Sequence, residues 1–474
     1  MAKTATLDLV VIGGGPAGIV GAATARMLGK SVALIDSHHE LGGAGVNTGT
    51  VPSKTLRETA LALSGLRSRK LYGIDLSLRR DVTVADFLGH ERNVKAALNL
   101  MLSQRLGEHR TEAYYGVGTF EGPHTVRVRP IAKDPADAGE DMVLTADRVL
   151  IATGSSPLRP PLFPWGSPGI YDSDTILELS QIPKTLAVIG AGTIGSEYAC
   201  TFTALGAKVH LIDGRDVLLP FLDAEVSRAL ADAMQCRGIT FHWKEKVERC
   251  TADKAGVTLV LSSGAALTVD EVLVAAGRTS NTRELNLPAA GVNVGERGLI
   301  PVDEDYRTNV PTIYAAGDII GFPALASTSM EQARRAVRHA FGHGQHQHIP
   351  SLLPSGVYTI PEVSMVGETE ESLQNKQVQY VVGRARYEQC SRGRIIGDSE
   401  GFLKLLFRRQ DLTLCGVHVM GEQATEVVHV GLMAMLTHAK AELFIEACFN
   451  LPSLSVLYKT AAFDALRQIE GGQG

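Results

Sequence analysis

A pattern that occurs twice constrains the fold of this chain more than any other feature of its sequence. Each copy consists of an apolar strand, a glycine-rich turn, a helical segment and a second strand that ends at an aspartate. The copies span residues 7–36 and 186–213. One glycine turn of this kind is weak evidence, but both copies have the strand–turn–helix context that dinucleotide binding requires. The sequence therefore predicts an α/β protein with two Rossmann-like dinucleotide-binding domains.

The two turns read GGGPAG at residues 13–18 and GAGTIG at residues 190–195. A dinucleotide pyrophosphate is negatively charged, and a helix N-terminus offers it unpaired N–H groups and a partial positive charge. The first glycine of such a turn allows a tight bend, the second lets the backbone approach the pyrophosphate, and the third lets helix and strand pack closely. These glycines are, in that order, Gly13 and Gly190, Gly15 and Gly192, and Gly18 and Gly195. Asp36 and Asp213 end the second strands, where an acid accepts hydrogen bonds from a ribose.

Composition excludes several other classes of protein. The net charge of −5, from 46 basic and 51 acidic residues, argues against a nucleic-acid partner. The sequence has no uninterrupted apolar run of about 18 residues, so it predicts no transmembrane helix. A basic n-region and a small-residue cleavage site are missing at the N-terminus, so no signal peptide is predicted. The six cysteines are scattered without a C-x-x-C pair, which favours buried thiols in a reducing cytoplasm over a disulfide framework.

The length of 474 residues suggests about three domains. A proline-rich stretch at residues 157–168 and a glycine-, histidine- and proline-rich stretch at residues 340–354 are interpreted as linkers. The predicted division is a first dinucleotide-binding domain at residues 1–155 and 276–345, a second at residues 156–275, and a C-terminal α+β domain at residues 346–474.

The chain resembles the pyridine nucleotide-disulfide oxidoreductase family over essentially its whole length. The matching segments are GGGPAG, GGAGVNTGTVPSK, ATG, GAGTIGSE, AAGRTSNT and YAAGD. This resemblance implies FAD at the first turn, NAD(H) or NADP(H) at the second, and a homodimer formed through the C-terminal domain. It also implies further cofactor-binding residues besides the glycines and aspartates named above. Those expected for FAD are Gly42, Gly43, Lys54, Gly118, Thr153, Gly154, Gly317, Asp318 and Ala326. Those expected for the nicotinamide coenzyme are Glu197, Arg215 and Gly277. Asp318 is expected at the ribityl–phosphate part of FAD.

The chemistry typical of the family is missing from this sequence. Gly45 and Thr50 stand where the usual members carry two cysteines, and Leu451 and Val456 stand where they carry a histidine base and its glutamate. Dihydrolipoamide, glutathione and mercuric ion are therefore not expected as substrates. Reduced flavin must instead pass its electrons to a second nicotinamide coenzyme or to a diffusible acceptor such as a quinone.

Within the family, the sequence is most similar to the soluble pyridine nucleotide transhydrogenases, which move hydride between NADPH and NAD⁺ through FAD. The similarity includes Thr50 and residues 171–174, 356–362 and 424–431. Gly45 is a departure, because these transhydrogenases can retain a cysteine there, and this departure leaves the acceptor open. The leading hypothesis is a transhydrogenase. The alternatives are an NAD(P)H:quinone or dye reductase and a non-catalytic flavin-binding sensor.

Lys54 and Glu197 are the predicted catalytic residues. By resemblance the lysine lies beside the flavin N5 edge and pairs with the glutamate, and a cation there stabilises negative charge on reduced flavin. The alternative is a buried structural salt bridge. Asp213 favours the 2′-hydroxyl of NAD(H), whereas Arg215 could receive the 2′-phosphate of NADP(H) or be a solvated surface residue.

Two weaker signals complete the sequence-based predictions. Four histidines cluster around the second linker, at His339, His343, His346 and His348. They lack cysteine ligands or a fixed helical pair, so no metal site is predicted. Residues 330–338 are predicted to form a helix near the flavin that presents Gln332 and Arg334, and the sequence does not decide whether either side chain acts there.

Overall fold

The computed structural model describes residues 3–65, 82–131, 139–254, 256–343 and 352–470. The chain divides into two compact units. The first unit comprises Met1–Thr55, Leu88–Leu158 and Gly277–Ile349, and the second comprises Leu56–Phe87, Arg159–Ala276 and Pro350–Gly474. The first unit contains the first glycine turn, and the second contains both the second turn and the C-terminal residues. The three-domain division stays a prediction.

The helices of the described residues are α1 (Pro16–Met27), α2 (Gly43–Asn47), α3 (Thr50–Ser64), α4 (Val84–Glu108), α5 (Thr193–Ala204), α6 (Ala224–Cys236), α7 (Ala326–Ala340), α8 (Glu370–Asn375), α9 (Ser391–Ile396), α10 (Ala424–Leu436), α11 (Ala441–Glu446) and α12 (Val456–Glu470). In the described part of the chain, no helix is both long and apolar enough to span a membrane.

The strands are β1 (Lys3–Ile12), β2 (Val32–Asp36), β3 (Glu112–Gly122), β4 (Thr125–Pro130), β5 (Met142–Ile151), β6 (Ser155–Pro157), β7 (Ile170–Asp172), β8 (Thr185–Ile189), β9 (Lys208–Asp213), β10 (Thr240–Trp243), β11 (Val247–Asp253), β12 (Gly256–Leu261), β13 (Ala266–Val269), β14 (Glu271–Val274), β15 (Arg278–Ser280), β16 (Ile313–Ala315), β17 (Ser355–Val357), β18 (Val363–Gly367), β19 (Tyr380–Arg386), β20 (Phe402–Arg408) and β21 (Leu414–Met420).

The main sheet of the first unit has β1 at its centre, paired in parallel with β2 and β5. Strands β3 and β16 extend it in parallel beyond β2 and β5, and antiparallel β4 connects β3 to β5. The apolar runs Leu9–Ile12 and Val32–Ile35 are fully buried because both faces of the sheet are covered. Helices α1 and α7 supply apolar residues to one of these buried layers.

The second unit contains two larger sheets. The first is parallel, in the strand order β10-β9-β8-β14-β7, and the antiparallel sheet β11-β12-β13 contributes residues to the same apolar cluster as β7, β8, β9 and β14. The second is antiparallel, in the order β17-β18-β21-β20-β19. Apolar residues of α10, α11 and α12 belong to its core cluster. The parallel order confirms the β-α-β reading of residues 186–213.

The structure refines several predicted element bounds. The helix predicted at residues 330–338 is the longer α7, which begins after Leu325. Its first turn buries the polar residues Thr328 and Ser329, so it adds no apolar spacing to the sequence pattern. The linker predicted at residues 157–168 begins with the last residue of β6, which pairs with β15. Most of the second predicted linker, including His346 and His348, lies outside the described residues.

Candidate active site

The first glycine turn has the backbone geometry that its sequence predicts. Gly13 has a φ of +109°, and a Cβ atom there would overlap the carbonyl oxygen of Ala152. A Cβ atom on Gly18 would overlap the carbonyl oxygen of Gly13, so only glycine lets α1 pack this closely against the turn. At Gly15 the nearest atom to a built Cβ is the Cα of Gly43, 3.9 Å away, so the space above this residue is open.

The second glycine turn repeats this geometry in the second unit. Gly190 has a φ of +104°, and a Cβ atom there would lie 2.5 Å from the carbonyl oxygen of Ala275. A Cβ atom on Gly195 would overlap the carbonyl oxygen of Gly190. Gly192 has open space around its Cβ position, with no described atom within 4 Å. Gly190 and Gly195 thus have the tight turn and the close packing predicted for them, and Gly192 has the open space that the predicted approach to a pyrophosphate requires.

Each turn leads into the N-terminus of a 12-residue helix. Gly15 and Gly192 are the N-cap residues of α1 and α5, and neither helix has a side-chain hydrogen bond that caps it. The backbone N–H groups in the first helical turn of α1 and of α5 are therefore available to a ligand in the open space beside these two glycines. A helix N-terminus of this kind attracts phosphate, so both turns fit a dinucleotide pyrophosphate.

Asp36 and Asp213 have a structural role that the sequence analysis did not predict. The Oδ2 atom of Asp36 accepts a hydrogen bond from the N–H of Gly14 at 2.5 Å. The Oδ2 atom of Asp213 accepts one from the N–H of Ala191 at 2.7 Å. Each aspartate therefore ties the end of its strand to the neighbouring glycine turn, which places its carboxylate beside the predicted pyrophosphate site.

Arg215 is folded back onto Asp213. Its Nε donates to Oδ1 at 2.9 Å and its Nη2 donates to Oδ2 at 2.7 Å, and its backbone N–H also donates to Oδ1 at 2.9 Å. Burial acts to raise the pKa of Asp213, but the hydrogen bonds from Arg215 and Ala191 outweigh it and lower that pKa. The hydrogen bond to Asp213 raises the pKa of Arg215. Arg215 is thus an ion-pair partner of the predicted ribose-binding residue.

The loop after β2 approaches the first turn through glycine backbone. The N–H of Gly42 donates to the carbonyl oxygen of Gly14 at 2.8 Å. A Cβ atom on Gly43 would lie 2.9 Å from the Cα of Gly15, so a side chain there would intrude between the two segments. This close approach places both residues beside the open space at Gly15.

Gly45 and Thr50, which are expected from the resemblance to stand at the family's two cysteine positions, lie in this region. A Cβ atom on Gly45 would lie 2.7 Å from the Cγ atom of Pro16, so a larger residue there requires a shift. Thr50 is exposed at the first position of α3. Cys200, the first cysteine of the chain, is buried in α5, where burial raises the pKa of its thiol to about 11.

Lys54 belongs to the first unit and Glu197 to the second. The hydrogen bonds of each side chain are therefore described within its own unit. The Lys54 Nζ atom donates to the Ser53 hydroxyl at 3.1 Å. Glu197 is buried on α5, with 4% of its surface exposed, and its Oε1 atom accepts the N–H of Tyr358 at 3.0 Å. The pairing of these two side chains stays a prediction.

Thr153 and Gly154 lie where the chain leaves the main sheet of the first unit. The Thr153 hydroxyl donates to the Asn281 carbonyl oxygen, and the Asn281 amide donates to the Thr153 carbonyl oxygen, both at 2.9 Å. Gly154 has a φ of +65°, and its carbonyl oxygen accepts the N–H of Asn281 at 3.0 Å. Gly277, with a φ of +112°, lies at the other end of this connection, and its Cβ position is open.

The second predicted flavin contact is a tight turn after β16. Gly317 has a φ of +85°, and its N–H donates at 2.8 Å to the side-chain oxygen of Gln332, which is buried on α7. Arg334 is exposed and forms an ion pair with Glu331. Gln332 therefore supports the turn, whereas the guanidinium of Arg334 is engaged on the surface. The carboxylate of Asp318 accepts the hydroxyl of Ser155 at 2.6 Å.

Ala326 and Gly118 complete the predicted set. Ala326 is the first residue of α7, whose N-terminus has no side-chain cap. Gly118 lies on β3, where a Cβ atom would be 3.2 Å from the Ile12 side chain and 3.4 Å from that of Ile35. Packing in the apolar core accounts for glycine at this position.

The structure also identifies residues that the sequence analysis did not single out, namely Ser155, Arg278 and Asn281. The last two belong to the AAGRTSNT segment, which was noted only as a family motif. Their hydrogen-bond partners lie more than 100 positions away in the sequence, at separations of 123 and 128 residues. A spacing pattern carries no signal of such contacts.

His339, the first of the four clustered histidines, has partners on both ring nitrogens. The Nδ1 atom of His339 lies 2.9 Å from the Tyr314 hydroxyl, and its Nε2 atom lies 3.4 Å from Asp305. Within the described residues, the only group of three potential ligands that lie close together is Asp223, Glu225 and Glu370. The ammonium group of Lys404 forms ion pairs with all three carboxylates. A positive charge of the protein itself therefore already occupies the position that a metal ion would take.

Comparison with known proteins agrees with this geometry. Residues 7–340 match the family described as pyridine nucleotide-disulphide oxidoreductase, and residues 353–462 match its dimerisation domain. The chain is 43% identical over 462 residues to a soluble pyridine nucleotide transhydrogenase from Mycobacterium tuberculosis, covering 98% of this chain and 97% of the relative. It is 38% identical over 468 residues to one from Pseudomonas putida, covering 98% of both.

Two solved structures show the same fold. LpdA from Mycobacterium tuberculosis superposes with a TM-score of 0.88 at 27% identity, covering 98% of this chain and 99% of that one. The HOCl-induced flavoprotein disulfide reductase RclA from Escherichia coli superposes with a TM-score of 0.86 at 25% identity, covering 96% and 99%. The expected α/β fold and the expected FAD and NAD(P)(H) cofactors are confirmed, and the chain belongs to the pyridine nucleotide-disulphide oxidoreductase family.

Proposed function

We propose that this enzyme transfers hydride from NADPH to NAD⁺ through FAD, without a thiol relay. One observation carries the proposal. Two glycine turns have the geometry of dinucleotide-binding sites, at residues 13–18 and 190–195, called the first and the second cradle below. The sequence also predicts Gly45 and Thr50 in place of the family's redox cysteines. Cys200 does not replace them, because its raised pKa keeps it a buried thiol at neutral pH. Relatives that match this chain over nearly their whole length are named soluble pyridine nucleotide transhydrogenases.

The residues around the two turns have distinct roles in this proposal. FAD held at the first cradle would supply the hydride-accepting and hydride-donating chemistry that this transfer needs. The backbone N–H groups at the start of α1 would hold the phosphates of FAD. The carboxylates of Asp36 and Asp318 would accept hydrogen bonds from its hydroxyl groups. The start of α5, with Asp213 beside it, holds the nicotinamide coenzyme. Because both coenzymes use this second cradle, they bind to it in turn.

Lys54 is proposed to stabilise the negative charge that reduction places on the flavin. Support comes from its position in α3, shortly after the loop whose Gly43 approaches the first cradle. Glu197 is proposed to orient the positively charged ammonium group of Lys54. The N–H of Tyr358 donates a hydrogen bond to the Glu197 carboxylate and so holds it in place. Replacing Lys54 with methionine is expected to slow flavin reduction by NADPH. An unchanged rate would remove the lysine from the catalytic machinery.

Asp213 and Arg215 are proposed to let one cradle accept both coenzymes. When NAD(H) binds, the carboxylate accepts the ribose hydroxyls and Arg215 turns outward. When NADP(H) binds, the guanidinium takes the 2′-phosphate as a bidentate partner. The ion pair in the structure keeps the carboxylate ionised and the guanidinium nearby between these events.

An anaerobic titration tests the proposed function. NADPH should bleach the flavin absorbance of the purified protein, and NAD⁺ added afterwards should restore it. In steady state, enzyme with NADPH and thio-NAD⁺ should produce thio-NADH. Fast quinone reduction without thio-NADH formation would favour the NAD(P)H:quinone reductase instead. Bound FAD that NADPH does not bleach would identify a flavin-binding sensor and refute enzymatic hydride transfer.

We also propose that the protein acts as a homodimer in the cytoplasm. The match of residues 353–462 to a dimerisation domain supports the dimer. Light scattering of the purified protein should give twice the mass of 50.6 kDa that the chain has. A mass equal to one chain at micromolar concentration would refute the dimer.

A further inference from the structure

The two-stranded ribbon formed by β6 and β15 lies beside Asp318. The ribbon is antiparallel, with Ser155 opposite Ser280 and Pro157 opposite Arg278. The chain leaves the first unit at Leu158, directly after β6, and re-enters it at Gly277, directly before β15. The ribbon therefore brings together side chains that are far apart in the sequence.

Three side chains in this region form one line of hydrogen bonds. The Nε atom of Arg278 donates to the Ser155 hydroxyl at 2.8 Å, and its Nη2 donates to the Ser155 carbonyl oxygen at 2.6 Å. The Ser155 hydroxyl donates to Oδ2 of Asp318 at 2.6 Å. A guanidinium can only donate, so the serine oxygen must accept from Arg278. The serine proton is thereby directed at Asp318.

The turn that carries Asp318 is held from the opposite side as well. Gln332 is buried on α7, with 3% of its surface exposed, and accepts the N–H of Gly317. Serine and glutamine together restrict the rotation of the carboxylate and of the backbone that carries it. Among the described residues, only Ser155 donates to the Asp318 carboxylate, which leaves Oδ1 as an acceptor for a ligand.

We propose that Ser155 and Arg278 are positioning residues for the FAD polyol, which act by orienting the Asp318 carboxylate. The proposal rests on the proposed function, because it requires FAD at Asp318. Arg278 polarises the serine hydroxyl, and the hydroxyl holds Oδ2 so that Oδ1 faces the ligand. A hydrogen bond to a charged group is stronger than one between neutral groups, so its loss affects ligand affinity measurably.

Ser155→Ala tests this relay in the full-length protein. The variant leaves Asp318 and Arg278 in place but removes the hydroxyl that links them. FAD is removed from the purified protein and titrated back, and binding is followed by the quenching of flavin fluorescence. The dissociation constant for FAD should rise roughly tenfold or more. Ser155→Thr, which retains a hydroxyl at the same position, should restore most of the affinity.

Ser156→Ala is the matched control. Ser156 is the next residue of the ribbon, and its hydroxyl donates at 2.8 Å to the side-chain oxygen of Asn281 rather than to Asp318. Both serine-to-alanine variants remove one hydroxyl from the same ribbon, so a general loss of ribbon stability should weaken FAD binding in both. The relay predicts weakening in Ser155→Ala alone.

A double-mutant cycle separates orientation of Asp318 from other effects of the serine. In an Asp318→Ala background, Ser155→Ala should change FAD affinity much less than in the native background, because alanine has no side-chain oxygen to accept the Ser155 hydroxyl. Equal effects in both backgrounds, or an FAD dissociation constant unchanged by Ser155→Ala, would overturn the inference. Failure of the native protein to bind FAD would instead refute the proposed function.

Discussion

The ion pair between Arg215 and Asp213 leads to a quantitative prediction about coenzyme choice. Replacing Arg215 with alanine should lower the affinity of the protein for NADPH and raise its affinity for NADH. A bidentate bond between a guanidinium and a phosphate contributes about 1.5–3 kcal/mol, so the affinity for NADPH should fall roughly tenfold to hundredfold.

The same substitution releases Asp213 from its present partner. The side chain of Arg215 is 49% exposed, so water and salt screen the pair, and opening it costs at most about 1 kcal/mol. The affinity for NADH should therefore rise by no more than about fivefold. Together, the two effects should shift the preference toward NADH roughly tenfold to several hundredfold.

The assay compares KM and kcat for flavin reduction by NADPH and by NADH, with direct titration of each coenzyme. Raising the salt concentration should weaken NADPH binding in the native protein but much less in Arg215→Ala, because the screened phosphate contact is missing. Arg159→Ala is the matched control, since Arg159 forms a similar ion pair at 2.7 Å with Asp172 and is 53% exposed. The reasoning would be refuted if Arg215→Ala lost equal affinity for both coenzymes. It would also be refuted if Arg215→Ala and Arg159→Ala had the same ratio of NADPH affinity to NADH affinity.

Three further predictions concern stability and the second cradle. Glu271 is buried, and burial raises its pKa from 4.5 to about 7. Its contribution to the free energy of unfolding should be full below pH 4.5 and lost as the pH rises through about 7, a decline of roughly 3 kcal/mol. Urea titrations of Glu271→Gln should lack this decline. Lys404→Met leaves Asp223 buried without its cation, so the free energy of unfolding should fall by about 3–5 kcal/mol in the same titration, and a loss below about 1 kcal/mol would contradict this. Gly195→Ala should lower the melting temperature because its methyl group overlaps a carbonyl oxygen, whereas Gly192→Ala should melt normally and bind NAD(P)H more weakly; equal melting temperatures for the two variants would show that the built overlap is relieved cheaply.

The positions of the two cradles could be predicted because their determinants are local. A tight turn, an open N-cap and a close helix–strand contact each require glycine at a fixed spacing, and an apolar strand on either side completes the unit. The structure bears this out at Gly13, Gly18, Gly190 and Gly195, where a Cβ atom would clash with backbone. The bounds of the helices were less predictable, as α7 shows, since its first turn depends on the preceding loop rather than on its own apolar spacing.

Site residues whose function depends on a distant partner could not be predicted in this way. Arg215 could be read as a phosphate ligand or as a surface residue until its guanidinium was seen on Asp213. Lys404 looks like an ordinary strand residue, yet it is fully buried among three carboxylates. Such positions depend on which elements pack together, and residue spacing does not record that.

The sequence by itself located the two glycine turns and predicted that the family's cysteine pair is missing. Both follow from residue types at short, fixed separations, because backbone geometry over a few residues depends mainly on those residues. Only the tertiary structure decided how the carboxylates of the site are held. Ser155 and Asp318 are 163 positions apart, and the hydrogen bond between them exists because β6 and β16 belong to the same folded unit. The sequence thus located the cofactor cradles, and long-range packing set the orientation of the groups that line them.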